Sequence, residues 1–122
     1  MESPHKGKTG FKRLVNAFWY SMSGLRAAYK HEDAFRLEIH LAIVLVPLAL
    51  WLAVPHLSKA LMIASVLLVL IVELLNSAIE ASVDHTSLDT HPLAKRAKDI
   101  GSAAVFVSML NVVIVWGLLI FS

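Results

Sequence analysis

The sequence contains no cysteine, and charged residues make up only 16% of its 122 positions. Without cysteine, neither a disulfide framework nor a thiolate metal site is possible. The sequence also lacks the glycine loops of P-loop enzymes and of protein kinases, and the paired-histidine helix of metalloproteases. No internal repeat or low-complexity tract is present. A nucleotide site here would therefore be unconventional, and we expect no nucleic-acid partner.

Apolar residues, in contrast, are abundant. They make up 57% of the chain, which exceeds the usual share in soluble domains. The segment 1–35 has no uninterrupted apolar run and no clear cleavage site, so we expect no cleaved secretory signal. The composition predicts an integral membrane protein.

Three segments are apolar enough to cross a bilayer, at 39–54, 60–79 and 100–121. A bilayer core requires about 20 helical residues at about 1.5 Å each. The first segment is shorter than this, so its helix must begin near Asp33 and carry Glu38 close to the interface. Pro47 is expected to bend this helix, and Pro55 marks its end. We predict spanning helices at about 33–54, 58–83 and 98–121.

A fourth helix is predicted before the first span, at about 10–31. Its apolar residues recur at three- and four-residue spacing, which is typical of a helix lying on a membrane surface. They are Phe11, Leu14, Val15, Phe18, Met22 and Leu25. The predicted fold is therefore all-α: a single membrane domain over 1–122, with three transmembrane helices and an N-terminal amphipathic surface helix.

The basic residues predict the orientation of these helices. Most of them lie in two segments, 1–36 and 84–99, whereas the connector after the first span has only Lys59. Because lysine and arginine favour the cytoplasmic side, we expect the N-terminus and the second loop to face the cytoplasm. The short connector at 55–59 and the C-terminus face the opposite side.

The second predicted span has a stripe of polar residues. Asn76, Ser77, Glu80 and Asp84 lie within about 60° of Glu73 on the helical wheel. A carboxylate at the depth of Glu73 costs roughly 2.5 kcal/mol or more to insert, which indicates a functional site. Asn76 or Ser77 alone would equally serve to bond neighbouring helices. Two carboxylates two turns apart fit that role poorly unless they share a cation or a proton.

Further acidic residues lie where the surface helix meets the first span, at Glu32, Asp33 and Glu38. Oxygen ligands at a phosphate site indicate Mg²⁺, which typically binds one or two carboxylates and completes its shell with water and phosphate. Glu32 and Glu80 are the preferred pair. The alternative interpretation of Glu32 is a solvated charge at a helix end.

Basic residues lie at the same level, before the third span and on the surface helix. They are Arg13, Arg26, Lys95, Arg96 and Lys98, and Asp99 follows them. Cations around a metal-bound pair of acids suit a polyphosphate. The alternative is that these charges only set the topology.

Several segments of the sequence resemble the prokaryotic diacylglycerol kinase family. The most specific are ELLNSAIE at 73–80 and AKRAKDIGSAAV at 94–105. GFKR at 10–13, GLRAA at 24–28 and EDAFRLE at 32–38 are similar to the family's N-terminal region. The resemblance covers about 10–121, which is nearly the whole chain.

The resemblance implies a homotrimer of the bacterial cytoplasmic (inner) membrane that phosphorylates diacylglycerol to phosphatidic acid with MgATP. It implies that Glu73 is the general base beside Asn76, and that Glu32 and Glu80 hold the metal. The implied nucleotide contacts are Arg13, Tyr20, Glu32, Glu80, Asp89, Thr90, His91, Lys98 and Asp99. The implied lipid-site residues are Arg13, Glu38, Glu73 and Ser102. Thr90 departs from the family pattern, because an aromatic residue usually precedes the histidine.

Two other functions compete with this interpretation. Within the family, the lipid alcohol undecaprenol is an alternative substrate, and the stretch at 91–95 does not discriminate between the two lipids. Outside enzymes, a small proton- or ion-conducting subunit would use Glu73 as a relay. A relay does not require a second carboxylate two turns away with a basic loop beside it, so this alternative fits less well.

Overall fold

The computed structural model describes residues 10–86 and 91–121, and these residues contain no β-strand. They form four helices: α1 (Gly10–His31), α2 (Asp33–Trp51), α3 (His56–Thr86) and α4 (Pro92–Ile120). Three of them, α2, α3 and α4, are long and apolar enough to cross a membrane. The predicted all-α architecture is confirmed, with three helices able to span a membrane and one amphipathic helix.

The corner between α1 and α2 is a single residue, Glu32, whose backbone is extended with φ −113° and ψ 106°. The corner is braced by Arg36, whose guanidinium donates to Tyr29 O at 2.6 Å and pairs with Asp33. In addition, Tyr29 Oη and His40 Nε2 lie 2.8 Å apart, within hydrogen-bonding distance. These contacts join the end of α1 to the first turns of α2.

The connection between α2 and α3 is also short. Pro47 lies within α2, and the helix ends at Trp51, where Leu52 N–H still donates to Leu48 O. The Pro55 carbonyl accepts a bond from Lys59 N–H, which opens α3. The Lys59 ammonium donates to Leu50 O at 2.6 Å, so it satisfies one of the carbonyls that a helix end leaves free.

Helix α4 begins at Pro92, earlier than the predicted start near 98. His91 is the N-cap, and its Nδ1 accepts a hydrogen bond from Leu93 N–H at 3.1 Å. Proline fits the first helical position because its missing N–H has no partner there in any case. The basic residues 95–98 are therefore helical rather than part of a loop.

The packed core lies towards the ends of the spans that are far from Glu73. Here α3 packs between α2 and α4 through a cluster of buried residues: Ala42, Ala49, Met62, Val66 and Trp116. The Trp116 indole N–H donates to Met62 O at 3.2 Å and to Ser65 Oγ at 3.1 Å. The alanines of α2 let the backbones approach closely, as small residues do between membrane helices. This core fixes α2 and α4 on either side of α3.

Candidate active site

The polar stripe of α3 lines a cleft of about 300 Å³ at the end of the bundle nearest Glu32. The rest of the cleft wall is formed by the α1–α2 corner, the first turns of α2, and one face of α4. The cleft is lined by Glu32, Asp33, Ala34, Glu38, Glu73, Asn76, Glu80, Ser102, Val105 and Met109. The structure thus brings together six of the residues that the sequence indicated: Glu32, Glu38, Glu73, Asn76, Glu80 and Ser102.

Two buried carboxyl groups occupy the inner part of this cleft. Glu73 on α3 and Glu38 on α2 are each only 6% exposed. Their side chains lie close enough to interact with each other. Two ionised carboxylates at this range would repel each other. A single proton shared between the pair would relieve that repulsion.

Asn76 lies one turn from Glu73 and is also buried, at 8% exposure. Its position depends on Gly101 of α4, because a Cβ atom built on Gly101 would overlap Asn76 Oδ1. Asn76 was predicted, whereas Gly101 was not assigned to the site. The sequence did hold a signal for it, since a glycine within a spanning helix marks a close approach between helices.

Two oxygen atoms of the cleft residues are buried without a hydrogen-bond partner among the residues that the structure describes. They are Glu38 Oε1 and Asn76 Oδ1. A buried acceptor without a donor costs about 1–3 kcal/mol, and unsatisfied groups of this kind occur at functional sites. A bound ligand and its waters would supply the donors that these oxygens require.

The outer part of the cleft holds a second pair of acids, Glu32 and Glu80. Ser77 Oγ donates to Glu32 Oε1 at 2.9 Å, which ties the corner to the stripe of α3. The Glu80 carboxylate interacts electrostatically with Glu32 and with the Lys98 ammonium. Across 10–86 and 91–121, no three histidine, aspartate or glutamate side chains converge as a metal site. Any metal here would thus depend on two carboxylates and on oxygens from a ligand.

The remaining predicted nucleotide residues do not line the cleft. Arg13 and Tyr20 are exposed on α1, and His91 caps α4. Lys98 forms an ion pair with Asp84 at 2.7 Å, so it lies at the margin. Asp99 pairs with Lys95 at 2.6 Å and lines a separate surface groove on α4 with Arg96. Asp89 and Thr90 lie outside the described residues.

Comparison with known proteins gives a consistent result. Residues 19–120 match the family model of prokaryotic diacylglycerol kinase. The chain is 55% identical over 114 residues to a protein of Pseudomonas aeruginosa named diacylglycerol kinase, with 93% of each chain covered. A protein of the same name from Escherichia coli is 49% identical, again with 93% of each chain covered.

A third relative has lower identity but similar coverage. A Helicobacter pylori protein, also named diacylglycerol kinase, is 45% identical over 95% of this chain and 90% of its own. These matches include α2, α3 and α4, which carry nearly all of the cleft. The chain therefore belongs to the prokaryotic diacylglycerol kinase family.

Proposed function

We propose that this protein transfers the γ-phosphoryl group of ATP to the free hydroxyl of diacylglycerol in a bacterial membrane, giving phosphatidic acid. The observation that carries the proposal is the division of the cleft into an inner pair of buried acids and an outer pair at the interface. A lipid hydroxyl can reach the inner pair without leaving the bilayer, while a nucleotide approaches the outer pair from water. The relatives named diacylglycerol kinase support the choice of lipid.

Glu73 is the proposed general base. With the shared proton on Glu38, the Glu38 carboxyl donates to Glu73 and leaves a second Glu73 oxygen free to accept the proton of the lipid hydroxyl. Asn76 and Ser102 lie beside the pair and would orient the glycerol headgroup, with Arg13 as a further proposed lipid contact. Fixing the hydroxyl beside its base and in line with the phosphoryl group supplies a large part of such a rate enhancement.

Glu32 and Glu80 are the proposed metal ligands. Their carboxylate oxygens suit Mg²⁺, which commonly takes one or two protein carboxylates and otherwise phosphate and water. The bound ion would neutralise charge on the transferred phosphoryl group. Ser77 holds the Glu32 carboxylate in place for this role.

The nucleotide itself is assigned to the outer margin of the cleft. Lys98 interacts electrostatically with Glu80, and we propose that it exchanges its contact with Asp84 for a phosphate oxygen. Arg13, Tyr20, Asp89, Thr90, His91 and Asp99 remain proposed nucleotide contacts. In the proposed topology the N-terminus and the loop before α4 face the cytoplasm, where ATP is present.

A homotrimer is the proposed assembly. Large apolar side chains cover the outer faces of all three spanning helices, for example Ile43, Leu67 and Phe106. Packing against two further copies would cover part of this surface and add a wall where one chain leaves the cleft open. The mass of the detergent-solubilised protein, corrected for bound detergent, tests this assembly, and a monomer would contradict it.

Turnover of Glu73→Gln tests the central assignment. We expect loss of phosphoryl transfer to diacylglycerol with MgATP binding retained, because the amide cannot accept the proton. His85→Gln, an exposed change on the same helix, is the control and should retain activity. Full activity of Glu73→Gln would remove Glu73 as the base.

The identity of the lipid substrate is tested by comparing phosphorylation of diacylglycerol and undecaprenol by the purified protein. Preference for the polyprenol would overturn the choice of diacylglycerol.

A further inference from the structure

A second cavity, of about 160 Å³, continues from the cleft into the spanning part of the bundle. We call it the apolar groove. It lies between α2 and α4 over α3, and its lining is Glu38, Leu41, Ala42, Leu45, Val66, Val69, Leu70, Met109 and Val112. Glu38 and Met109 line both the groove and the cleft. The two cavities therefore meet at Glu38 and Met109, and Glu38 belongs to the inner pair of acids.

The groove has a closed floor and an open side. Val66 and Val69 form the floor and are 5% and 7% exposed. Leu41 and Met109 stand on its two walls and are about half exposed, at 51% and 42%. A slender apolar chain can thus enter from the side, between α2 and α4, without any helix moving apart.

The direction of the groove suits a chain attached to a headgroup at Glu73. Along α3 the lining continues from Leu70, three residues from Glu73, to Val66, which is seven residues away. Seven helical residues rise about 10 Å. Along α4 the lining continues from Met109 to Val112, so Val112 lies at the end remote from the cleft.

We infer that the apolar groove holds one acyl chain of the lipid substrate, and that Val112 at its remote end sets which chain lengths fit. The inference rests on the proposed phosphorylation of diacylglycerol. The occupant is assigned by continuity, because the groove opens at Glu38, which interacts with Glu73, the acid to which the glycerol hydroxyl is assigned. Its lining beyond Glu38 is entirely apolar, which excludes the nucleotide.

The groove acts by alignment rather than by hydrophobic transfer. Lipid tails are as apolar as leucine, so a chain gains little by moving from the bilayer into this groove. A chain that lies along α3 instead restrains the glycerol and keeps its hydroxyl beside Glu73, which favours reaction. The expected signature is a change in kcat/KM that depends on chain length.

The test compares two neighbouring valines of α4. Val112→Phe fills the groove, whereas Val113→Phe adds the same bulk at a position that is 69% exposed and outside the groove. Each purified protein is assayed in mixed micelles with MgATP and with dihexanoylglycerol or dioleoylglycerol. The quantity compared is the ratio of kcat/KM for dioleoylglycerol to kcat/KM for dihexanoylglycerol. Val112→Phe should lower this ratio about tenfold. Val113→Phe should leave it unchanged.

A second variant enlarges the groove instead of filling it. It keeps the inference testable if Val112→Phe does not fold. Val112→Ala widens the remote end and should raise the ratio in favour of the longer chain by several-fold. An unchanged ratio in Val112→Ala, or equal changes in Val112→Phe and Val113→Phe, would overturn the inference and leave the groove to bulk lipid or a neighbouring copy. If the unmodified protein phosphorylates no diacylglycerol of either length, the proposed function fails, and this inference with it.

Discussion

Replacing Gly101 by alanine adds one methyl group at the contact between α4 and the active-site cleft. An alanine Cβ would overlap Asn76 Oδ1 and lie 3.3 Å from Asn76 Cγ. The overlapped atom is the end of a side chain, so the Asn76 amide can rotate away while both backbones stay in place. The change therefore displaces a predicted catalytic residue without breaking the helix packing.

The effect on stability follows from two opposing contributions. Alanine in a helix interior is more favourable than glycine by about 1 kcal/mol. Forcing Asn76 out of its rotamer costs about 0.5–1.5 kcal/mol. These contributions nearly cancel, so we expect the melting temperature of Gly101→Ala to remain within a few degrees of that of the parent protein.

For activity, no opposing contribution offsets the displacement of Asn76. Asn76 lies in the cleft beside Glu73, and a shift of about 1 Å in a positioning group can reduce a rate about 100-fold. We expect Gly101→Ala to lower kcat for diacylglycerol by at least tenfold, measured by coupled detection of ADP in mixed micelles. The protein would thus remain folded while losing turnover.

Gly117→Ala is the matched control. It lies in the same helix, and a Cβ there would meet nothing within 4 Å. It should stabilise the protein slightly, through the same helix propensity, and keep full activity. Parent-like turnover in Gly101→Ala would refute the reasoning, because it would mean that Asn76 either has not moved or is not needed where it lies.

Two further predictions concern the outer part of the cleft. Glu80→Gln should raise the Mg²⁺ concentration for half-maximal activity by at least tenfold, because one of two carboxylate ligands is lost; an unchanged Mg²⁺ titration would remove Glu80 as a ligand. Tyr29→Phe removes the hydrogen bond to His40, which is worth about 1 kcal/mol, and loosens the corner that carries Glu32. The Mg²⁺ requirement should then rise a few-fold with the KM for diacylglycerol unchanged, and a shift in KM alone would contradict this.

The four helices were predictable because each is specified by a pattern within its own segment of the sequence. A run of apolar residues of sufficient length specifies a spanning helix whatever it packs against, and the apolar spacing of α1 specifies an amphipathic one. The sequence predicts a start of α4 near 98 because the basic residues Lys95, Arg96 and Lys98 suit a loop. The capping of Leu93 N–H by His91 and the proline at the first helical position extend the helix through them.

The candidate site was predictable in part. The stripe from Glu73 to Glu80 follows from helical periodicity alone. Periodicity does not say which residues of other helices face that stripe. The hydrogen bond between Ser77 and Glu32 joins residues that are distant in sequence, as does the approach of Gly101 to Asn76. The separation of Asp99 from the cleft likewise depends on which side of α4 faces α3.

The sequence by itself determined that this protein has three helices able to span a membrane and one amphipathic helix, and that α3 carries acids along one stripe. These properties depend on composition and on the geometry of a single helix. Only the tertiary structure decided that Glu38 lies against Glu73, that Glu32 lies with Glu80, and that an apolar groove begins at Glu38. The physical reason is that helix rotation and crossing are set by packing between side chains of different helices, above all around Met62 and Trp116.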